Sequence, residues 1–193
     1  MTVRAFHRAA VFGAALLACF LALEHPSGAA QPRFHVLQAL PSGTPPLADF
    51  TFPSLEGKPR RLTEWRGKVV LLAFFATWCP LCSEEMPRLS ELQKRYEARG
   101  FTVLAVSIDQ LGPDAVKDWV KEKGLAFPIL HDRAFSSRTT HNVRFVPTLY
   151  LLGRDLKPAA WTIGSADWRG KEATVLIERL LASSLAARRE GEP

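Results

Sequence analysis

The run Val69-Val70-Leu71-Leu72-Ala73-Phe74-Phe75 constrains this chain more than any other stretch of it. A strand made of it has no polar face to turn to water, so it needs cover on both sides. Strands of that kind lie at the centre of an α/β sheet. Ala76-Thr77-Trp78 follows, and then Cys79-Pro80-Leu81-Cys82. A buried strand therefore ends on two thiols spaced for one face of a helix.

The neighbouring pattern supplies the rest of the sheet. Asp49-Phe50-Thr51-Phe52 alternates like a short strand, Glu56-Gly57-Lys58 turns, and Arg60-Arg61-Leu62 can return as its hairpin partner. Thr63 is placed to cap a brief helix that Gly67 stops. Pro80 to Arg99 reads as a helix closed by Gly100, and Phe101 to Ile108 as a second apolar strand. A helix over 114–123 begins near Pro113 and ends before Gly124. Short strands at 127–130, 148–152 and 159–163 follow, with a helical turn or two at 133–140 and a last helix from Trp168 to Ala187. Strand–helix–strand requires parallel pairing with crossover helices, and the closing hairpin adds antiparallel strands. The fold class is α/β: a mixed central sheet flanked by helices, with an N-terminal β-hairpin extension.

Cys79 falls at the start of the helix, with Pro80 in its first turn. Unpaired N–H groups and the helix dipole favour negative charge there, so a thiolate is favoured at Cys79. The thiolate is the species that attacks disulfides. Cys82 lies on the same helix face, close enough to bridge. Cys79 would form a mixed disulfide with a substrate, and Cys82 would resolve it.

Cys82, Glu85, Leu89, Leu92 and Tyr96 are spaced 3, 4, 3 and 4, which makes one helical stripe. Glu85 therefore sits on the packed face one turn below Cys82, while Glu84 points to solvent. A desolvated carboxyl has a raised pKa and can exchange a proton with Cys82. The alternative is that Glu85 snorkels to the surface and only favours the helix start. Trp78 either shields the nucleophile and touches partners or fills the end of the sheet. Pro147, in Val146-Pro147-Thr148, opens a strand; from the sequence alone a trans bond is the default.

The chain has 193 residues and is 47% hydrophobic, which suits one domain at 47–187 with a short disordered tail at 188–193. Residues 1–30 read as a secretory signal: Arg4 and Arg8, a charge-free stretch over 9–23, then small residues to a cut after Ala30. Two rivals are retention of residues 9–23 as a membrane anchor and lipidation at Cys19. Residues 31–46, with four prolines, read as a linker or arm. Export leaves Cys79 and Cys82 as the only thiols of a processed chain, too few for a disulfide framework. The net charge is +6, but the basic residues are scattered, with no basic run interleaved with aromatics, so no nucleic-acid partner is expected.

Asp49-Phe50, Leu62 to Trp65, Arg66-Gly67-Lys68-Val69-Val70, Ala76-Thr77-Trp78-Cys79-Pro80-Leu81-Cys82, Glu84-Glu85-Met86-Pro87, Val146-Pro147-Thr148, Gly164 and Asp167-Trp168 together resemble the thioredoxin-like family. The likeness is to its exported TlpA/ResA-type branch. It implies a thioredoxin-like fold, Cys79 as nucleophile, Cys82 as resolving thiol, and a cis Pro147 facing the cysteines. It also implies that Glu85 is the buried acid of the branch. Trp78, Pro80, Val146 and Pro147 are the substrate-contacting candidates. No cofactor is expected beyond the redox-active Cys79–Cys82 disulfide. The resemblance implies a periplasmic or extracytoplasmic location. Its partners would be exported disulfide-containing proteins, such as apocytochromes c and copper-site proteins, and a membrane thiol-disulfide electron donor.

The chain departs from the family pattern in places. Ala73 stands where many thioredoxins hold a buried Asp or Asn, which puts more weight on Glu85. A peroxidase on the same fold wants proline and threonine where this chain has Leu72 and Ala76. The main alternative to an enzyme is a Cu(I)-binding metallochaperone module using Cys79 and Cys82. A zinc site needs two more ligands, and His35, His131 and His141 stand isolated. No metal site is expected on the enzyme reading.

Overall fold

A computed structural model describes residues 37–41 and 43–189. The expected signal or anchor, residues 31–36 and 42 of the arm (His35 among them), Cys19 and the last four residues lie outside the described residues. The elements, in order, are β1 (Gln38–Ala39), β2 (Thr51–Pro53), β3 (Pro59–Arg61), β4 (Val69–Phe75), α1 (Pro80–Tyr96), β5 (Phe101–Ser107), α2 (Pro113–Glu122), β6 (Ile129–His131), α3 (Ser137–Thr140), β7 (Thr148–Leu152), β8 (Pro158–Ile163) and α4 (Lys171–Arg189).

The apolar run is β4, and all seven of its residues are buried. It lies inside a six-stranded sheet of order β1-β8-β7-β4-β5-β6. Strands β4, β5 and β6 are parallel, while β7 is antiparallel to β4 and β8 to β7. Burying each Val, Leu or Phe of the run stabilises the fold by roughly 1.5–3 kcal/mol. The sheet is mixed and central, as the alternation of elements requires. Strands β2 and β3 form a separate hairpin, which touches the main sheet through an isolated bridge between Ser54 and Leu130.

Parallel register places the site. Val69 stands opposite Phe101 and Phe75 opposite Ser107, so β4 and β5 end level with each other. Thr148, the first residue of β7, pairs with Phe74 at that same end. The segments after β4, after β5 and before β7 therefore converge on one edge of the sheet.

Helix α1 starts at Pro80, runs on through Pro87 and gives way to one 3-10 turn at Glu97–Arg99. Gly100 closes it with φ 86°, a left-handed conformation that glycine adopts without steric cost.

Some expectations are corrected. Gln38–Ala39, within the span read as an unpacked arm, pairs with β8, Gln38 opposite Trp161 and Ala39 opposite Ala160. The unpaired edge of β8 offers N–H and C=O groups that a passing extended segment can satisfy. Thr63 lies inside a 3-10 turn over Leu62–Trp65 instead of capping it, and its N–H donates to Asp49 Oδ1 at 3.2 Å. The last helix begins at Lys171, after Trp168, and reaches Arg189, two residues into the expected tail.

Candidate active site

Cys79 is the N-cap residue of α1, with extended backbone (φ −88°, ψ 113°). Its Sγ accepts the Cys82 N–H at 3.1 Å, and its thiol donates to the Val146 carbonyl at 3.5 Å. Both cysteines are free. The fold arranges this with little freedom: the strand delivers the chain to the sheet edge, and Pro80 suits the first helical turn because it has no N–H to leave unpaired.

The two sulfurs have different surroundings. Cys82 is 0% exposed, whereas Cys79 is 5% exposed and lines a groove of about 690 Å³. Burial pushes the Cys82 thiol far above its usual range, and the hydrogen bond with Cys79 and the nearby Asp109 carboxylate push it the same way. The groove is rimmed by Trp78, Leu111 and Phe145, which are 67%, 66% and 64% exposed. Trp78 thus reaches solvent beside the nucleophile instead of filling the end of the sheet. Pro80 and Val146 also line the groove, Pro80 exposed and Val146 half-buried. The Val146–Pro147 peptide is cis, as the resemblance implied and against the sequence default, and Pro147 is buried.

Glu85 is on the packed face of α1 and 0% exposed, so the snorkelling alternative does not hold; Glu84 is exposed. Glu85 Oε1 accepts the Trp168 indole N–H at 2.7 Å and the Ala166 N–H at 3.3 Å, and Oε2 lies 3.6 Å from Arg88 Nη1. Burial raises its pKa above the usual carboxylate range; the hydrogen bonds from Trp168 and Ala166 and the Arg88 charge oppose that rise.

Sequence reasoning missed Asp109. It is 1% exposed, just past the end of β5, and lines the groove with Cys79. The signal was present in the register: a parallel neighbour that ends level with β4 delivers its next residues to the same edge. His131 and His141 are structural, their Nε2–H groups donating to the carbonyls of Asp109 (2.7 Å) and Ala48 (2.9 Å). Among the described residues no group of three or more His, Cys, Asp or Glu is arranged to hold a metal ion. Among them, too, no helix is long and apolar enough to cross a membrane.

Comparison with known proteins agrees with this geometry. Thiol-disulfide oxidoreductase ResA of Bacillus thuringiensis (strain Al Hakam) is 36% identical over 116 residues, 60% of this chain and 66% of that protein. ResA of Geobacillus thermodenitrificans is 38% identical over 109 residues, 56% of this chain and 62% of that protein. The chain thus matches just under two thirds of the length of these relatives. A Chlorobium tepidum structure described as a thiol:disulfide interchange protein DsbE superposes with TM-score 0.65 at 28% identity, covering 72% of this chain and 96% of that one. The fold is thioredoxin-like. The family model of AhpC/TSA proteins matches residues 45–157, more than half of the chain, and the protein belongs to the AhpC/TSA family.

Proposed function

We propose that this protein is an extracytoplasmic thiol-disulfide oxidoreductase that reduces disulfides of exported proteins. One observation carries the reading: two free cysteines at a helix start, one on an open groove and the other sealed beneath it. In the reducing direction Cys79 thiolate attacks one sulfur of a substrate disulfide. The substrate S–S bond breaks, and its other sulfur leaves as a thiolate that takes up a proton. Cys82 then gives up its proton and attacks Cys79 Sγ, breaking the mixed disulfide. The substrate's second sulfur leaves as a thiolate and takes up that proton, so the substrate departs as a dithiol with two electrons gained, and Cys79–Cys82, now a disulfide, has lost two. Glu85 is the proposed proton partner of Cys82. A membrane thiol-disulfide carrier is the proposed donor that restores the dithiol, and residues 9–23 are a candidate anchor.

Features of the groove support a polypeptide substrate. Three exposed apolar side chains rim Cys79, and a flexible chain segment with its own apolar residues would bury them. Apocytochromes c and copper-site proteins are the proposed targets within that class. A peroxidase is disfavoured, because Ala76 brings no hydroxyl where such an enzyme on this fold wants threonine, and Leu72 stands where it wants proline.

The test is insulin reduction with dithiothreitol, followed by partner trapping in Cys82→Ala. Turnover by the natural sequence, its loss in Cys79→Ala and covalent partners on Cys82→Ala are the expected results. Tight Cu(I) binding without turnover would establish the copper-carrier alternative. Unchanged thiol titration of Cys82 in Glu85→Gln would remove Glu85 from the mechanism.

A further inference from the structure

Buried carboxylates are costly unless their oxygens are paired. Asp109 meets that demand with groups from the segment that leads into Cys79. The Thr77 N–H donates to both its oxygens, at 3.2 and 3.1 Å, and the Thr77 hydroxyl to Oδ1 at 2.6 Å. The Ser107 hydroxyl donates to Oδ2 at 2.6 Å and in turn accepts the Asp109 N–H at 3.1 Å. The Asp109 carbonyl is held from the other side by His131 on β6. Four donor contacts on one carboxylate thus tie the loop after β4 to the loop after β5. Cys79 is two residues beyond Thr77, and its N–H closes a turn onto the Ala76 carbonyl at 3.2 Å.

We propose that Asp109 is a positioning residue for thiol exchange: its carboxylate clamps Thr77 and thereby sets where Cys79 Sγ stands between the Cys82 N–H and the Val146 carbonyl. The inference rests on the oxidoreductase reading and deepens it. The chain lacks an acid at Ala73 within β4, and Asp109 brings one to the same sheet edge from the neighbouring strand. Its role differs from that of a proton shuttle, because its oxygens are occupied by Thr77 and Ser107. Its negative charge also bears on the buried Cys82 thiol. The other ionisable or charged groups facing this place are Cys79, His131 and, on the groove wall, Arg144.

The experiment compares Asp109→Ala, Asp109→Asn and Thr77→Ala in the full chain. Two readouts are used: the rate at which Cys79 reacts with iodoacetamide, and insulin reduction. Asp109→Ala removes both clamp and charge, and is expected to slow both rates by about 10–100-fold, the scale of a misplacement near 1 Å. Asp109→Asn keeps an oxygen for Thr77 but offers only one acceptor atom, and is expected to recover part, not all, of that loss. It should also let Cys82 titrate at lower pH, since the like charge is gone; a merely structural role would not move that titration. The effects of Thr77→Ala and Asp109→Asn should be less than additive. Strictly additive effects, or Cys79 reactivity in Asp109→Ala equal to that of the natural sequence, overturn the inference. Should Asp109→Ala fail to fold, the Asp109→Asn and Thr77→Ala cycle decides alone. Absence of insulin reduction by the natural sequence refutes the oxidoreductase reading; that activity with an uncoupled Asp109 refutes only this one.

Discussion

Trp168→Phe tests whether the buried Glu85 depends on a donor from outside its own helix. The indole N–H gives the carboxylate its shorter hydrogen bond, 2.7 Å to Oε1, in a place where Glu85 is 0% exposed. Phenylalanine keeps most of the ring and loses the donor. The lost bond is worth about 1.5–3 kcal/mol against a charged carboxylate and about 0.5–1.5 kcal/mol against a neutral one. Glu85's pKa is raised in the folded protein, mainly by burial. As pH climbs past the usual carboxylate range, the unfolded chain gives up this proton first. The group's contribution to stability then falls until pH passes the folded pKa, and is flat above it. The Trp168 bond holds that folded pKa down, so its removal extends the fall to higher pH. The destabilisation by Trp168→Phe must therefore grow with pH. Lost packing adds a constant that pH does not move. Urea titrations at acid and at alkaline pH measure the difference. With a slope of about 2 kcal/mol per molar, the bond itself shifts the midpoint by about 0.5 M at low pH and about 1 M at high pH. An equal shift at both ends would refute the charged hydrogen bond as the reason Trp168 is there.

Glu85→Gln should abolish the fall in stability with rising pH that Glu85 itself causes, seen as a flatter urea midpoint across the same window. Gly100→Ala should destabilise the fold by roughly 1–2 kcal/mol, because the residue sits at φ 86° and an added Cβ would lie 2.9 Å from Arg154 Nη1; thermal or urea unfolding reads this. Trp78→Ala and Phe145→Ala should each raise the KM for a protein disulfide by roughly tenfold, with much less effect on a small-molecule disulfide. Equal effects on both substrates would show that the rim does not bind polypeptide.

Much of the architecture was legible because local periodicity carried it. Strands β4 and β7 fall at their expected residues, since an uninterrupted apolar run and a turn-bounded one leave few other choices. Element ends were less legible: Thr63 looked like a cap, but Asp49, from a distant segment, takes its N–H instead. Strand β1 escaped notice because two residues carry no periodicity, and only an open edge on β8 recruits them.

At the site, the sequence alone determined the thiol pair, its place at a helix start and the helical stripe that carries Glu85, because each follows from spacing along one strand and one helix; that Glu85 stays buried instead of snorkelling was decided by the packing around it. Tertiary structure decided which sulfur faces the groove, what Glu85 bonds to, and that Asp109 grips Thr77. Those facts depend on residues some 30 to 80 positions apart, between Thr77 and Asp109 and between Glu85 and Trp168. No pattern along the chain encodes such pairs; they arise when parallel register and packing bring separate segments to one edge of the sheet, where buried polar atoms must find partners.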